Sequence, residues 1–119
     1  MKKKIAILGS TGSIGKSLLK IVSKDKKNFK VELLSANKNY KDLLKQAKQY
    51  KVKNIIITNK NSFNSLLIQK HNNIKVYNNF KNLKKIFPKK IDYVMNSIVG
   101  LDGLIPTMNI IKYTKKIAI

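Results

Sequence analysis

Within the run KIAILGSTGSIGKSLLK, from Lys4 to Lys20, the hydrophobic pattern changes its period at a cluster of glycines. Ile5 to Leu8 is a continuous apolar run of strand length, whereas Ile14, Leu18, Leu19 and Val22 recur at helical spacing. Between the two lies Gly9-Ser10-Thr11-Gly12-Ser13-Ile14-Gly15. A strand, a glycine turn and a helix in that order give each glycine a physical job. Gly9 permits the tight turn, Gly12 lets backbone come against a phosphate, and Gly15 lets the helix pack close to the strand. Free N–H groups at the helix start, with the positive end of its dipole, then hold a pyrophosphate. Glycines spaced by three are a weak signal alone. The flanking strand and helix supply the context that a dinucleotide-binding turn requires. The competing reading is that the glycines only make a tight strand-to-helix turn.

Outward from this run the chain alternates. Lys30 to Ala36 reads as a second strand, and Tyr40 to Tyr50 as a helix through Leu43, Leu44, Ala47 and Tyr50. Val52 to Thr58 is a third strand. Ser62 to Lys70 follows as a helix with Ser62 as its N-cap. Ile74 to Tyr77 is a short strand, and Asn79 to Phe87 a helix that Pro88 stops. Ile91 to Val99 is a strand, Leu104 to Tyr113 a helix, and Lys116 to Ile119 the start of another strand. Regular β-α alternation with short connections predicts an α/β fold, a Rossmann-like doubly wound parallel sheet with helices on both faces.

The sequence is 119 residues long, the size of one domain with a real core. It has no cysteine, which removes disulfides, thiolate nucleophiles and cysteine metal sites and fits a reducing compartment. No apolar run approaches the ~20 residues needed to cross a bilayer, and Met1 leaves no room for a targeting segment, so a cytoplasmic protein without membrane contact is expected. A net charge of +21 attracts phosphate backbones in general. All 26 basic residues, however, are lysine, dispersed through the chain, and arginine is the usual choice for bidentate phosphate and guanine contacts. With so much asparagine and isoleucine beside them, the lysines read as compositional bias, and no nucleic-acid partner is expected.

A second informative place is the end of the second strand. NAD-binding versions of this fold carry an Asp or Glu about 20 residues after the glycines, which binds the adenosine ribose. Here stand Ser35-Ala36-Asn37-Lys38-Asn39. Lys38 offers a cation where a 2′-phosphate would lie, and NADP(H) is the expected cofactor. The plainer alternative makes Lys38 one more lysine and leaves Asn37 and Asn39 to form a turn and a helix N-cap.

These residues together resemble the N-terminal NADPH-binding domain of the 1-deoxy-D-xylulose 5-phosphate reductoisomerase family. The likeness rests on Gly9 to Gly15, on Ala36-Asn37-Lys38-Asn39 with the following Leu43-Leu44-Lys45-Gln46, and on Ser97-Ile98-Val99-Gly100-Leu101-Asp102-Gly103-Leu104-Ile105-Pro106-Thr107. It extends over nearly the whole chain. It implies that Thr11, Gly12, Ser13 and Ile14 contact the pyrophosphate and neighbouring ribose, and Asn37, Lys38 and Asn39 the 2′-phosphate end. Asn37 departs from the glycine that relatives often carry, although asparagine tolerates a left-handed backbone. Ser97, at a strand end lining the crevice, is a further candidate for cofactor contact.

The resemblance further implies a sugar-phosphate substrate, a divalent metal (Mg or Mn) and a homodimer for the complete enzyme, with the metal ligands beyond Ile119. The chain then is the front part of a longer enzyme, inactive alone and of marginal stability because its last strand is left at an edge. The acids present offer no general acid/base pair: Asp25 lies in a polar turn, Glu32 among lysines, Asp42 in a first helical turn, and His71 in a polar loop. Asp92 and Asp102 are placed nearer the carboxyl edge of the sheet, but two lone acids make a poor metal site. No catalytic and no metal residue is assigned. Two other functions stay open: another NADP-dependent reductase, such as a semialdehyde dehydrogenase or an epimerase-like enzyme, or a non-enzymatic nucleotide-binding domain.

Overall fold

The computed structural model describes residues 2–69, 73–98 and 104–118. In chain order its elements are β1 (Lys3–Leu8), α1 (Ser13–Ser23), β2 (Phe29–Ala36), α2 (Tyr40–Gln49), β3 (Asn54–Ile57), α3 (Lys60–Ile68), β4 (Lys75–Tyr77), α4 (Leu83–Ile86), β5 (Ile91–Asn96), α5 (Leu104–Ile110) with a 3-10 turn over Ile111–Tyr113, and β6 (Thr114–Ala118). Every strand pairing is parallel, in the order β4-β3-β2-β1-β5-β6. The chain thus winds outward from β1 to β4, then returns to lay β5 on the other side of β1. That is the doubly wound, Rossmann-like sheet expected from the alternation.

A strand segment buried on both faces must be apolar, and β1 is so after its exposed Lys3 and Lys4: Ile5, Ala6, Ile7 and Leu8 are all fully buried. Ile5 and Ile7 face one way, with Leu34, Ala36, Ile55 and Ile57, onto Leu19 and Val22 of α1, Leu43, Leu44 and Ala47 of α2 and Leu66 of α3. Ala6 and Leu8 face the other way, with Leu33, Ile56 and Val94, onto Leu83 and Ile86 of α4 and Ile110 of α5. Each fully buried aliphatic side chain of this kind contributes roughly 1.5–3 kcal/mol. The register sets Leu8 beside Ser35 on one flank and Asn96 on the other, so β1, β2 and β5 end level at the carboxyl edge.

Several local expectations need correction. Ile14 does not belong to the buried face of α1: it is 59% exposed, and Gly15 occupies the buried position beside it. The third helix starts at Lys60, and its cap is Asn59, whose side chain accepts the Ser62 N–H; Ser62 lies one turn inside, its hydroxyl donating to the Lys38 carbonyl. The helix expected over Asn79 to Phe87 is a single turn, because Asn79 accepts the Lys81 N–H and holds that segment as a turn. β5 ends at Asn96, short of Val99. Asp92 stands at the start of β5 and thus at the amino edge of the sheet, not near the carboxyl edge. Asp102 and His71 lie outside the described residues. Among the described residues no helix is long and apolar enough to cross a membrane.

Candidate functional site

The glycine turn joins β1 to α1, and its three glycines differ in what demands them. Gly9 has φ +74°, a left-handed conformation, and a Cβ there would meet Ile98 Cγ1 and Ser97 Oγ at 3.1 Å. Gly15 is required by contact, since a Cβ would stand 2.2 Å from the Gly9 carbonyl oxygen and 2.6 Å from Ser10 Cα. Gly12 is different. It has extended backbone (φ −75°, ψ 171°), is exposed, and a Cβ would find only the Gly9 oxygen, at an ordinary 3.6 Å. Among the described residues no contact excludes a side chain at 12. With no side chain there, the backbone is open to an external occupant.

Gly12 is also the N-cap of α1 and, having no side chain, leaves the first helical N–H groups without a side-chain acceptor; the first turn carries no acid. The other two long helices are capped, α2 by Asn39 and α3 by Asn59. Ser13 and Ile14, at the start of α1, are exposed. The start of α1 therefore presents the Ser13 and Ile14 amides with the positive end of the helix dipole, the arrangement suited to a phosphate.

The turn is held from behind. The Ser10 N–H donates to the Ser35 carbonyl at 2.9 Å, and the Gly9 N–H donates to the Ser35 hydroxyl at 3.2 Å. Gln46 of α2 closes on Ser10 with both ends of its amide. On the other side the Ser97 hydroxyl donates to the carbonyl oxygens of Leu8 at 2.7 Å and Gly9 at 3.0 Å. Ser97 thus fastens β5 to the turn, leaving its oxygen as an acceptor toward the crevice it lines.

At the end of β2, Asn37, Lys38 and Asn39 are all exposed. The Asn37 side chain accepts from the Thr58 hydroxyl at 2.9 Å, and the Lys38 carbonyl is held by Ser62. Asn39 caps α2, its Oδ1 accepting the Asp42 N–H at 3.2 Å and its Nδ2 donating to the Asp42 carboxylate at 2.9 Å. Its side chain is committed to that cap, as the plainer alternative had it. The Lys38 ammonium has no carboxylate partner among the described ion pairs.

Between these loops, at the carboxyl edge where the winding direction reverses, lies a crevice of about 620 Å³. Of the residues singled out from the sequence, Gly9, Thr11, Gly12, Asn37 and Ser97 line it. Ser13, Ile14, Gly15, Lys38 and Asn39 stand outside that lining, Gly15 because it is packed under the turn. Sequence reasoning missed Thr58, Asn78, Asn79 and Lys81 on the far wall, and Asn109 on α5. Thr58 and Asn78 follow the last residues of β3 and β4, so the strand-end rule that pointed to Ser97 also points to them. A larger hollow of about 720 Å³ opens at the starts of β3 and β4, walled by Lys53, Lys75 and Lys85, away from the glycine turn.

The described acids are engaged with cations or amides. Asp42 is held below the ordinary 3.8 by the Asn39 side chain first and by Lys16, 3.3 Å away, second. Asp92 is lowered chiefly by the Lys4 N–H at 2.8 Å, then by Lys115. Asp25 takes both hydrogen bonds from Asn28, and Glu32 pairs with Lys30. Among the described residues no group of three or more His, Asp or Glu comes together to hold a metal ion.

Comparison with known proteins meets this geometry. A family model described as 1-deoxy-D-xylulose 5-phosphate reductoisomerase matches residues 5–119. The chain is 60% identical over 120 residues to the 1-deoxy-D-xylulose 5-phosphate reductoisomerase of Pelagibacter ubique (strain HTCC1062), covering 98% of this chain and 31% of that protein. It is 34% identical to the one from Sulfurihydrogenibium sp. (strain YO3AOP1), covering 97% and 29%. Among solved structures it is similar to the reductoisomerase of Zymomonas mobilis in complex with NADPH, with TM-score 0.82, 27% identity, and coverage of 98% and 32%. A second similar structure is a reductoisomerase in complex with NADPH, fosmidomycin and magnesium, with TM-score 0.82, 25% identity, and coverage of 97% and 29%. The chain thus spans 29–32% of the length of these relatives. With the family model covering almost every residue and the doubly wound sheet in place, the chain belongs to the 1-deoxy-D-xylulose 5-phosphate reductoisomerase family.

Proposed function

We propose that this chain is the NADPH-binding portion of a 1-deoxy-D-xylulose 5-phosphate reductoisomerase, the enzyme that rearranges and reduces 1-deoxy-D-xylulose 5-phosphate to 2-C-methyl-D-erythritol 4-phosphate in isoprenoid biosynthesis. The observation that carries it is Gly12, bare where no neighbour requires it, at the uncapped start of α1 and on the wall of the crevice. The pyrophosphate would be held by the backbone of Thr11 and Gly12 and by the first N–H groups of α1, at Ser13 and Ile14. The adenosine 2′-phosphate would meet the Asn37-Lys38-Asn39 loop, with the Lys38 ammonium as its counter-charge. Thr58 and Asn78 offer further polar groups along the same wall, and Ser97 an acceptor oxygen near the turn. When bound, NADPH supplies a hydride to the aldehyde carbon formed by the rearrangement.

The described acids do not fit a divalent metal, being scattered and already engaged. Two finer expectations, a cytoplasmic location and a homodimeric complete enzyme, have family membership as their support.

The test is calorimetric titration with NADPH and NADH at physiological ionic strength. A charge-assisted contact to the 2′-phosphate is worth roughly 1.5–3 kcal/mol, about tenfold to a hundredfold in affinity. NADPH should bind tighter by that factor, and Lys38→Ala should remove most of the difference, while Lys90→Ala, remote from the crevice, should not. Long-range attraction is largely screened at about 0.15 M salt, so equal losses from both variants would leave only unspecific charge and refute the assignment.

A further inference from the structure

Gln46 is a polar side chain in a row of apolar ones. It sits on α2 between Leu44 and Ala47, is 9% exposed, and turns its amide toward the back of the glycine turn. Its Oε1 accepts from the Ser10 hydroxyl at 2.8 Å, and its Nε2 donates to the Ser10 carbonyl oxygen at 2.9 Å. Both ends of one planar amide therefore close on one residue. Ser10 is fully buried and stands immediately before Thr11 and Gly12. Two hydrogen bonds from a rigid plane fix a residue's orientation as well as its place, which one bond cannot do. At its other end the same helix carries Asn39 and, through Asp42, the ion pair to Lys16 of α1. α2 thus connects the loop after β2 with the back of the glycine turn.

We propose that Gln46 is a positioning residue for the dinucleotide: it acts through Ser10 to hold the Thr11 and Gly12 amides in the orientation the pyrophosphate needs. The proposal rests on the reading of the crevice as a cofactor site. Since the pyrophosphate is common to NADP and NAD, Gln46 sets affinity for both and has no part in choosing between them, in contrast to Lys38.

Gln46→Met keeps the length and bulk of the side chain and removes both hydrogen bonds. In the 119-residue chain, titrated well below the melting temperature of every variant, it should weaken NADP+ and NAD+ alike by about tenfold or more and leave their ratio unchanged. Gln49→Met, on the exposed side of the same helix, should change neither. Gln46→Glu gives the readout that mere structural support would not. Ionised, the introduced carboxyl has no proton for the Ser10 carbonyl; protonated, it reproduces the amide's donor and acceptor. Its burial against that carbonyl raises its pKa above the usual carboxyl range, so affinity relative to the parent chain should climb as pH falls from about 8 to about 5. Parent-like binding by Gln46→Met, or a Gln46→Glu affinity ratio that ignores pH, overturns the proposal. Failure of the parent chain to bind either cofactor refutes the cofactor site instead. Gln46 is then judged on amide NMR spectra of the ligand-free protein, where Gln46→Met must move the Thr11 and Gly12 resonances and Gln49→Met must not; unmoved resonances overturn it.

Discussion

Gly12 and Gly15 look alike in the sequence, and their substitutions should separate folding from binding. An alanine methyl at Gly15 would begin 2.2 Å from the Gly9 carbonyl oxygen and 2.6 Å from Ser10 Cα, both backbone atoms that no side-chain rotation can move aside. α1 must back away from the turn, taking Leu19 and Val22 with it. Overpacking of this kind costs about 1–3 kcal/mol, which for a domain of this size lowers the melting temperature by roughly 4–12 °C. At Gly12 the nearest atom is at 3.6 Å and the backbone is in a region open to any residue, so Gly12→Val should cost no more than about 1 kcal/mol, chiefly through the poorer N-cap. The added side chain would nevertheless occupy the path of the pyrophosphate. Thermal melting followed by circular dichroism, beside calorimetric titration with NADPH, reads both effects. Gly15→Ala should melt clearly lower, and Gly12→Val should melt close to the parent with binding abolished. Unchanged NADPH affinity in Gly12→Val would refute the reasoning, because Gly12 would then be as structural as its neighbours.

Two further predictions follow from the acids. NADPH oxidation by the isolated chain with 1-deoxy-D-xylulose 5-phosphate and Mg²⁺ or Mn²⁺ should not exceed a no-protein blank, and metal-dependent turnover would place catalytic residues in this chain. Asp42 and Asp92 have folded-state pKa values below the ordinary 3.8, so the stability they give is present above about pH 4 and is lost as pH falls through those lowered values. The melting temperature should therefore drop as pH falls below about 4, and less steeply in Asp92→Asn; an equal slope would mean that the Lys4 N–H and Lys115 do not favour the ionised form.

The sheet was legible because Ile5 to Leu8 of β1 and Ile55 to Ile57 of β3 are uninterrupted apolar runs that burial on both faces explains, with short helical patterns between the strands. The glycine turn was legible because its geometry is local. What was missed depends on contacts between distant segments. Ser62 resembles an N-cap in sequence, but Asn59, three residues earlier, reaches its N–H first. Ile14 has helical spacing, yet the close approach of α1 to the Gly9 carbonyl turns Gly15 inward and leaves Ile14 outside. Asp92 sits between apolar residues, and only the pairing of β5 with β1 shows that it begins the strand beside Lys4. In the site, Thr58 and Asn78 follow the ends of β3 and β4, where the strand-end rule applied to Ser97 would have found them; the hydrogen bonds from the Asn78 side chain to the carbonyls of Ile57 and Thr58, which tie the two loops together, are not encoded locally.

The central claim, that the Gly9 to Gly15 turn is where this chain holds NADPH, is tested most directly by mapping amide NMR shifts during a titration with the cofactor. The account predicts the largest changes at Thr11, Gly12, Ser13 and Ile14, a second group at Asn37 to Asn39, and smaller ones at Thr58, Asn78 and Ser97. Changes centred on Lys53, Lys75 and Lys85 in the hollow at the opposite edge, or spread evenly over the surface lysines, would contradict it.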